Sequence, residues 1–157
     1  MDELARKVGA ALKARGLLLV TAESCTGGWV AMELTAIPGS SDWFERGYVT
    51  YSNAAKREEL GVSEDTLARH GAVSEATARE MAAGALQRGR GQVSLAITGV
   101  AGPTGGSHDK PVGTVCFAWA QGSKISSETR RFDGDRESVR RQSVLHALQG
   151  VLRLLEK

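Results

Sequence analysis

The sequence predicts an α/β fold, a three-layer domain in which helices cover both faces of a mixed β-sheet. Two continuous apolar runs, at residues 17–22 and 93–98, are typical of strands buried on both faces. Helical periodicity alternates with these runs early in the chain, and two adjacent strands follow late, at 113–119 and 124–132. No repeat, linker or low-complexity tract interrupts the chain, so we predict a single domain over residues 1–157.

The helices are predicted from the spacing of apolar residues and from the residues that cap or end them. Leu4, Val8 and Leu12 recur at helical spacing in the first helix, which Gly16 ends. Polar residues at helix starts and glycines after helix ends bound the helices in the middle of the chain. The predicted helices cover residues 2–15, 29–34, 53–60, 63–70, 74–88 and the segment that begins at Gly134-Asp135.

A further strand and a long loop complete the predicted elements. Residues 43–51 are rich in aromatic and β-branched side chains, which favours a strand. Residues 99–111 are rich in glycine and hold two prolines, so they are predicted to form a loop. Because this loop directly follows a buried strand, we expect it at the same sheet edge as the segment after residue 22.

Composition and charge exclude several classes of function. The chain has 157 residues, 41% hydrophobic and 24% charged, which suits one domain with a real core. A formal net charge of +2 without clustered Lys and Arg argues against a nucleic-acid partner. No apolar run approaches the roughly 20 residues that span a bilayer, and the N-terminus does not resemble a signal peptide. We therefore predict no membrane partner and a cytoplasmic location.

Ser24 lies where a buried strand becomes glycine-rich and then helical, in Thr21-Ala-Glu-Ser-Cys-Thr-Gly-Gly28. Open α/β sheets bind ligands at such strand ends, and free N–H groups at a helix N-terminus can stabilise an oxyanion. Gly27 and Gly28 would let a substrate approach the backbone closely. The alternative is that Ser24 or Thr26 only caps the helix, since serine and threonine are the usual caps.

Lys56 lies after another predicted strand, in Tyr48-Val-Thr-Tyr-Ser-Asn-Ala-Ala-Lys56. A serine hydroxyl needs a base to lose its proton, and a lysine amine serves as one only when it is neutral. Burial or nearby positive charge lowers the pKa of a lysine from about 10.4. The hydroxyl of Tyr51 can relay a proton or hold the amine. The alternative is that Lys56 is a solvated residue on a short helix, because most lysines are exposed.

Two further segments are candidates for substrate binding. Gly99, Gly102 and Gly105 suit a loop that cradles a ligand, although they lack Rossmann or P-loop spacing and a plain flexible loop is the alternative. Arg136 and Arg140 are four residues apart, so they share one face near the start of the last helix. Guanidinium groups at a helix N-terminus make a good phosphate site, but Arg140 can equally be a solvated surface residue.

Several other patterns are discounted. Ser107-His-Asp-Lys110 has S-x-x-K spacing, but the glycines before it and Pro111 after it disfavour the helix that this motif needs. The histidines are isolated from one another and from the cysteines, so no metal and no cofactor is predicted. Cys25 has no histidine near it in sequence and is interpreted as a packed thiol.

Five motifs, in this order along nearly the whole chain, resemble the CinA C-terminal domain family. They are Thr21-Ala-Glu-Ser-Cys-Thr-Gly-Gly-Trp29, Gly47-Tyr-Val-Thr-Tyr-Ser-Asn-Ala-Ala-Lys56, His70-Gly-Ala-Val-Ser74, Thr98-Gly-Val-Ala-Gly-Pro103 and Lys110-Pro-Val-Gly-Thr-Val115. The resemblance implies a three-layer α/β/α domain that self-associates, so we expect a homo-oligomer. Longer members carry an additional N-terminal domain, and we expect this chain to be a standalone form.

The resemblance also implies an activity, the hydrolysis of the carboxamide of nicotinamide mononucleotide (NMN) to nicotinate mononucleotide and ammonia in NAD salvage. It implies that Ser24 is the nucleophile and Lys56 its base, with Tyr51 assisting. N–H groups near Thr26 and Gly27 would then stabilise the oxyanion without a metal.

The nucleotide itself would be held by the glycine-rich loop, with Gly99 and Gly102, and by Arg136 and Arg140. Two alternatives remain on the sequence alone. One is a non-catalytic nucleotide-binding module, which would need the glycines and arginines but not Lys56 beside Ser24. The other is an amidase that acts on a related pyridine nucleotide.

Overall fold

In the computed structural model, which describes residues 1–156, one five-stranded sheet lies between two layers of helices. The strands are β1 (Leu19–Glu23), β2 (Phe44–Val49), β3 (Val93–Gly99), β4 (Thr114–Gln121) and β5 (Lys124–Arg131). The helices are α1 (Asp2–Ala14), α2 (Trp29–Thr35), α3 (Asn53–Leu60), α4 (Glu64–His70), α5 (Glu75–Arg88) and α6 (Arg136–Leu155). Among the described residues, none of these helices has the length and hydropathy that crossing a bilayer would require.

The strand order is β2-β1-β3-β4-β5, and the sheet is mixed. β1 pairs in parallel with both β2 and β3, whereas β3–β4 and β4–β5 are antiparallel. The predicted three-layer α/β architecture with a mixed sheet is therefore confirmed. Because β1, β2 and β3 run in the same direction, their carboxyl ends meet at one edge of the sheet.

Alternation along the strands sends different side chains to the two helical layers. The layer of α1, α2 and α6 packs on large residues of the central strands, including Ile97, Phe117 and Trp119. The layer of α3, α4 and α5 packs mainly on small ones, including Ala96 and Ala118. We call these the α6 layer and the α5 layer.

Each layer has a helical glycine that sets the distance to a neighbouring element. A Cβ on Gly84 of α5 would lie 1.8 Å from the carbonyl oxygen of Leu60 in α3. A Cβ on Gly150 of α6 would lie 2.0 Å from Cε2 of Trp119 in β4. Real Cβ atoms do not approach so closely, so glycine sets the distance between α5 and α3 and between α6 and the sheet.

The strand predicted over 43–51 is shorter in the structure. Trp43 is 4% exposed and ends a short 3₁₀ turn, Ser40–Asp42, by donating its N–H to Ser40 O. Its indole ring fills the space above Gly9 of α1, so packing rather than strand pairing explains this aromatic residue. At the other end, β2 stops at Val49, although Thr50 N–H still donates to Glu23 O at 2.8 Å.

Candidate active site

The predicted site residues gather at the edge where β1, β2 and β3 end. Ser24 directly follows β1, and its N–H donates to Ile97 O of β3 at 2.9 Å. Thr50 directly follows β2 and is fully buried. Gly99 is the last residue of β3. The ends of three neighbouring strands therefore place backbone groups and side chains close together at this edge of the sheet.

Lys56 reaches this edge from α3, in the α5 layer. Ser52 caps that helix by accepting a hydrogen bond from Ala55 N–H at 3.0 Å, which places Lys56 one turn into the helix. Lys56 Nζ lies 2.9 Å from Ser24 Oγ and donates to Thr50 O at 2.8 Å. Lys56 is only 2% exposed, so the interpretation of a solvated surface lysine is wrong.

The surroundings of Lys56 suit a base. Burial lowers the pKa of the Lys56 amine below its ordinary value of 10.5, because the charged form is poorly solvated there. Thr50 O can only accept, so one amine hydrogen of Lys56 must point at it. In a neutral amine, this fixed hydrogen leaves the lone pair free to accept the proton of Ser24 Oγ.

The start of α2 is capped by neither Ser24 nor Thr26, and that alternative is wrong. The N-cap residue is Gly28, with a φ of 102° and no side-chain cap. The Glu23 carboxylate takes this role from β1, accepting from Val30 N–H at 2.9 Å and Ala31 N–H at 3.1 Å. It also accepts from the Thr26 hydroxyl at 2.6 Å.

The turn after Ser24 presents free N–H groups. Gly27 N–H donates to Ser24 O at 3.0 Å, which removes it from the candidate oxyanion donors. Within residues 1–156, the N–H groups of Cys25 and Thr26 donate to no backbone or side-chain acceptor. These two groups are therefore the candidate donors to an oxyanion beside Ser24.

Both predicted arginines bind backbone carbonyls of the site. Arg140 donates to Cys25 O and to Thr26 O, each at 3.1 Å, so it is not a solvated surface residue. Arg136 donates to Gly102 O at 2.7 Å and to the hydroxyl of Tyr51 at 2.9 Å. The start of α6 is thus tied to the turn after β1, the loop after β3 and the segment after β2.

Tyr51 stands at the rim rather than beside the amine. Its side chain is exposed, with 63% of the residue accessible. Its hydroxyl accepts from Arg136, and no hydrogen bond joins it to Lys56 or Ser24 among the described residues. The assisting role of Tyr51 therefore stays a prediction, and the geometry links it to Arg136.

Two clefts meet at Arg136. The one that contains Ser24 has a volume of about 300 Å³ and is lined by Cys25, Tyr51 and the loop from Gly99 to Gly105. The other has about 610 Å³ and is lined by Gly27, Trp29, Met32 and Arg140. Ser24 lines the smaller cleft and not the larger one, so a group attacked by its hydroxyl would have to lie in the smaller cleft.

The glycines of the β3 loop leave room for neighbouring backbone and side chains. A Cβ on Gly99 would lie 2.8 Å from Cγ2 of Val115, and one on Gly102 would lie 2.4 Å from Cγ1 of Val112. Gly102 also has a φ of 86°, which favours glycine. Their role in binding a substrate stays a prediction.

The remaining candidates lie apart from the serine–lysine pair or have low reactivity. Burial, reinforced by Glu23, raises the pKa of the Cys25 thiol to about 12, so it is a poor nucleophile. The amine of Lys110 donates to His70 O rather than to Ser107 Oγ. Within residues 1–156, no group of three or more His, Cys, Asp or Glu is placed to hold a metal ion.

Sequence reasoning missed two residues of the site. Glu23 is 1% exposed and organises the turn, and a carboxylate in an otherwise apolar run was the available signal. The helical pattern predicts Trp29 only as the start of a helix. The guanidinium groups of Arg140 and Arg141 each lie 5.3 Å from its ring centre, so it supports the arginine that binds the turn.

The fold and site define a class of protein, a three-layer α/β domain with a serine and a buried lysine in contact at the carboxyl edge of its sheet. The model of the CinA C-terminal domain family matches residues 1–155, and the chain belongs to that family. The membership predicted from the five motifs is confirmed.

Curated relatives extend over nearly the whole chain. Nicotinamide-nucleotide amidohydrolase PncC of Escherichia coli (strain K12) is 58% identical over 149 residues, 94% of this chain and 90% of that protein. The protein of the same name from Pseudomonas putida is 52% identical over 151 residues, 96% of this chain and 94% of its own length. A CinA-like protein of Syntrophobacter fumaroxidans is 51% identical over 155 residues, 98% of this chain but 37% of that protein.

Solved structures share the fold. A CinA superfamily protein from Klebsiella pneumoniae has a TM-score of 0.96 at 44% identity, covering 99% of this chain and 97% of that one. The competence/damage inducible protein CihA from Agrobacterium tumefaciens has a TM-score of 0.94 at 46% identity, covering 99% and 95%.

Proposed function

We propose that this chain is a nicotinamide-nucleotide amidase, which hydrolyses the carboxamide of NMN to nicotinate mononucleotide and ammonia in NAD salvage. The observation that carries the chemistry is the 2.9 Å contact between Ser24 Oγ and the buried amine of Lys56. The substrate is supported by the names of relatives that match more than nine-tenths of the chain at 52–58% identity.

In the first half of the reaction, neutral Lys56 takes the proton from Ser24 as Oγ attacks the carboxamide carbon. The carbonyl oxygen becomes an oxyanion, which the N–H groups of Cys25 and Thr26 stabilise. Protonated Lys56 then gives its proton to the amide nitrogen. The C–N bond breaks, ammonia leaves and the nicotinoyl group remains as an ester on Ser24.

In the second half, Lys56 is neutral again and takes a proton from a water molecule. The resulting hydroxide attacks the ester carbon, and the C–O bond to Ser24 breaks. The proton on Lys56 returns to Ser24 Oγ, which restores the starting state and releases nicotinate mononucleotide. The positive charge of the pyridinium ring makes the carbonyl carbon more electrophilic in both halves.

The nucleotide part is assigned to groups around Arg136, where the two clefts meet. In this proposal the walls of the nucleotide site are formed by Thr26, Gly27, Gly99 and Gly102. The phosphate is bound by Arg136 and Arg140. Each guanidinium uses two N–H groups on the protein and keeps others for a ligand. Residues 1–157 act as one amidase domain, which we expect to be cytoplasmic and homo-oligomeric.

The test is ammonia release from NMN by the wild type and by Ser24→Ala. We expect the variant to lose at least ~10³-fold in kcat, since a member of a catalytic unit is removed. The matched control is Ser107→Ala, which removes the serine of the other Ser-x-x-Lys pattern and should keep wild-type turnover. Full activity of Ser24→Ala would exclude this mechanism.

The same assay separates the alternatives. A non-catalytic binding module would bind NMN in calorimetry and release no ammonia over hours. Nicotinamide riboside should be a poorer substrate than NMN, because a site with paired arginines has a phosphate to bind. Equal turnover of NMN and its riboside would show that the site does not recognise the phosphate. Faster turnover of another pyridine nucleotide would identify that nucleotide as the better substrate.

A further inference from the structure

Glu23 is a buried carboxylate directly before the nucleophile. Within residues 1–156, Glu23 and Lys56 are the only buried side chains among the Asp, Glu, Lys and Arg residues, at 1% and 2% exposure. Glu23 has no salt bridge in this part of the chain, although burying a carboxylate without a cation is costly. Hydrogen bonds to both carboxylate oxygens must therefore offset the cost of its burial.

Three donors converge on the two oxygens of Glu23. Oε1 accepts from the Thr26 hydroxyl at 2.6 Å and from Val30 N–H at 2.9 Å, and Oε2 accepts from Ala31 N–H at 3.1 Å. One side chain therefore joins the strand before Ser24, the turn after it and the first turn of α2. The Thr26 hydroxyl is used in this link and is fully buried, so it is not free to bind a substrate.

The backbone between these anchors carries the two free N–H groups. Cys25 and Thr26 lie between two anchors. Glu23 accepts a hydrogen bond from the Thr26 hydroxyl, and Arg140 donates to the carbonyl oxygens of Cys25 and Thr26, each at 3.1 Å. The Thr26 N–H shares its peptide with Cys25 O, which Arg140 binds. The Cys25 N–H shares its peptide with Ser24 O, which accepts from Gly27 N–H at 3.0 Å, so both donors have little freedom to move. Fixed donors stabilise a developing charge better than mobile ones, because they need not reorganise during the reaction.

We propose that Glu23 is a positioning residue for acyl transfer: through Thr26 and α2 it fixes the Cys25 and Thr26 N–H groups at the place where the oxyanion forms. This rests on the proposed amidase function. Glu23 is 1% exposed and its hydrogen bonds go to Thr26, Val30 and Ala31 rather than to the serine hydroxyl, so it acts through the turn. Its removal should weaken transition-state binding and leave ground-state binding of the nucleotide almost unchanged.

The experiment compares Glu23→Gln, Thr26→Val and Thr26→Ser in the full chain. Glutamine offers one acceptor oxygen in place of two, so at least one of the three bonds is lost. We expect Glu23→Gln to lower kcat by about 10–100-fold and Thr26→Val by about 10-fold, with KM within about threefold of wild type. Thr26→Ser keeps the hydroxyl and should return kcat to within about threefold of wild type.

A matched control measures the effect of losing any buried hydroxyl. Ser94 on β3 donates to Ala82 O at 2.8 Å and is fully buried near the opposite end of the sheet. Ser94→Ala should lower the melting temperature as Thr26→Val does and leave kcat unchanged. An equal loss of kcat in Ser94→Ala, or no rescue by Thr26→Ser, would overturn the positioning role.

A second readout separates this inference from the proposed substrate. A fluorophosphonate forms a bond to an activated serine and needs the same oxyanion donors, so we expect Ser24 to be labelled and Glu23→Gln to be labelled at least 10-fold more slowly. If the wild type is labelled but releases no ammonia from NMN, the proposed function fails and the role of Glu23 stands. Equal labelling rates in the wild type and Glu23→Gln would overturn the role of Glu23 alone, and no labelling of the wild type would overturn both.

Discussion

The two helical layers differ in what they bring to Ser24. The α5 layer packs on small strand residues and brings Lys56, the candidate base, through α3. The α6 layer packs on large strand residues and brings α2 and the arginines that hold the turn after the serine. Ser24 directly follows β1 in the sheet between them, so under the proposed mechanism proton transfer depends on one layer and oxyanion stabilisation on the other.

This division predicts that substitutions in the two layers affect the reaction rate in different ways. A change in the α5 layer moves the amine relative to the hydroxyl and alters how the reaction depends on pH. A change in the α6 layer moves fixed N–H donors and lowers the rate at every pH.

Lys56→Met should produce the largest loss on the α5 side. Methionine fills a similar space but offers no lone pair to Ser24, so we expect kcat for ammonia release to fall at least ~10³-fold. The variant should remain folded, which circular dichroism and the melting temperature will check. A variant that is folded and still active would show that another group is the base.

The pH dependence of the wild type should reveal the same amine. Only neutral Lys56 is a base, so kcat/KM should rise with pH, about tenfold per unit, and level off at the Lys56 pKa. Burial places that plateau below pH 10.5. Initial rates of ammonia release between about pH 5 and pH 9 measure this limb. A rate that does not change over this range would contradict the role of the amine.

Gly84→Ala and Gly150→Ala overpack one layer each. Both new Cβ atoms would lie 2.0 Å or less from their neighbours, so each variant should lose about 1–3 kcal/mol of stability. Gly84→Ala pushes against Leu60 of α3, the helix that carries Lys56, and should lower kcat/KM by about 10-fold or more, since small misplacements of catalytic groups are costly.

Gly150→Ala is the control for that variant. It presses α6 against Trp119, far along the helix from the arginines, and should keep kcat/KM per folded molecule within about threefold. Thermal unfolding and active-site titration measure the fraction of folded protein, so that kcat/KM can be compared per folded molecule. If both variants lose activity equally, the layers are not independent in the way described.

Tyr51→Phe should have the smallest effect. Its hydroxyl binds Arg136 and not the amine, so we expect kcat to change less than about threefold, with a larger rise in KM. Steady-state kinetics with NMN provide the measurement. A loss of about 100-fold in kcat would instead support the proton relay predicted from the sequence.

Local patterns were enough to predict the order of elements, whereas the serine–lysine pair was implied by the resemblance to the CinA C-terminal domain family. The runs at 17–22 and 93–98 became β1 and β3 because both faces of these strands are covered. The buried contact of Lys56 followed from motifs rather than from the residue, since an isolated lysine gives no sign of burial. Contacts across long sequence separations were not predictable, and the bonds from Arg140 to a turn 114 and 115 residues earlier are examples.

The same limit explains the errors. Trp43 has high strand propensity, but its indole ring fills the space left by Gly9, which no local pattern indicates. Serine and threonine near a helix start are common caps, but here the N–H groups of Val30 and Ala31 donate to the carboxylate of Glu23 from the preceding strand. Tertiary packing decided both cases.

The buried Cys25 thiol allows the opening of the turn after Ser24 to be measured, once its reaction is distinguished from that of Cys116, the other buried thiol. With a pKa near 12 and 6% exposure, the thiol meets a disulfide reagent only when the turn opens. The rate of thiol exchange under native conditions therefore reports the free energy of that local opening. If nucleotide binds against this turn as proposed, it should slow the exchange, so the rate for the thiol beside Ser24 would report whether the site is occupied.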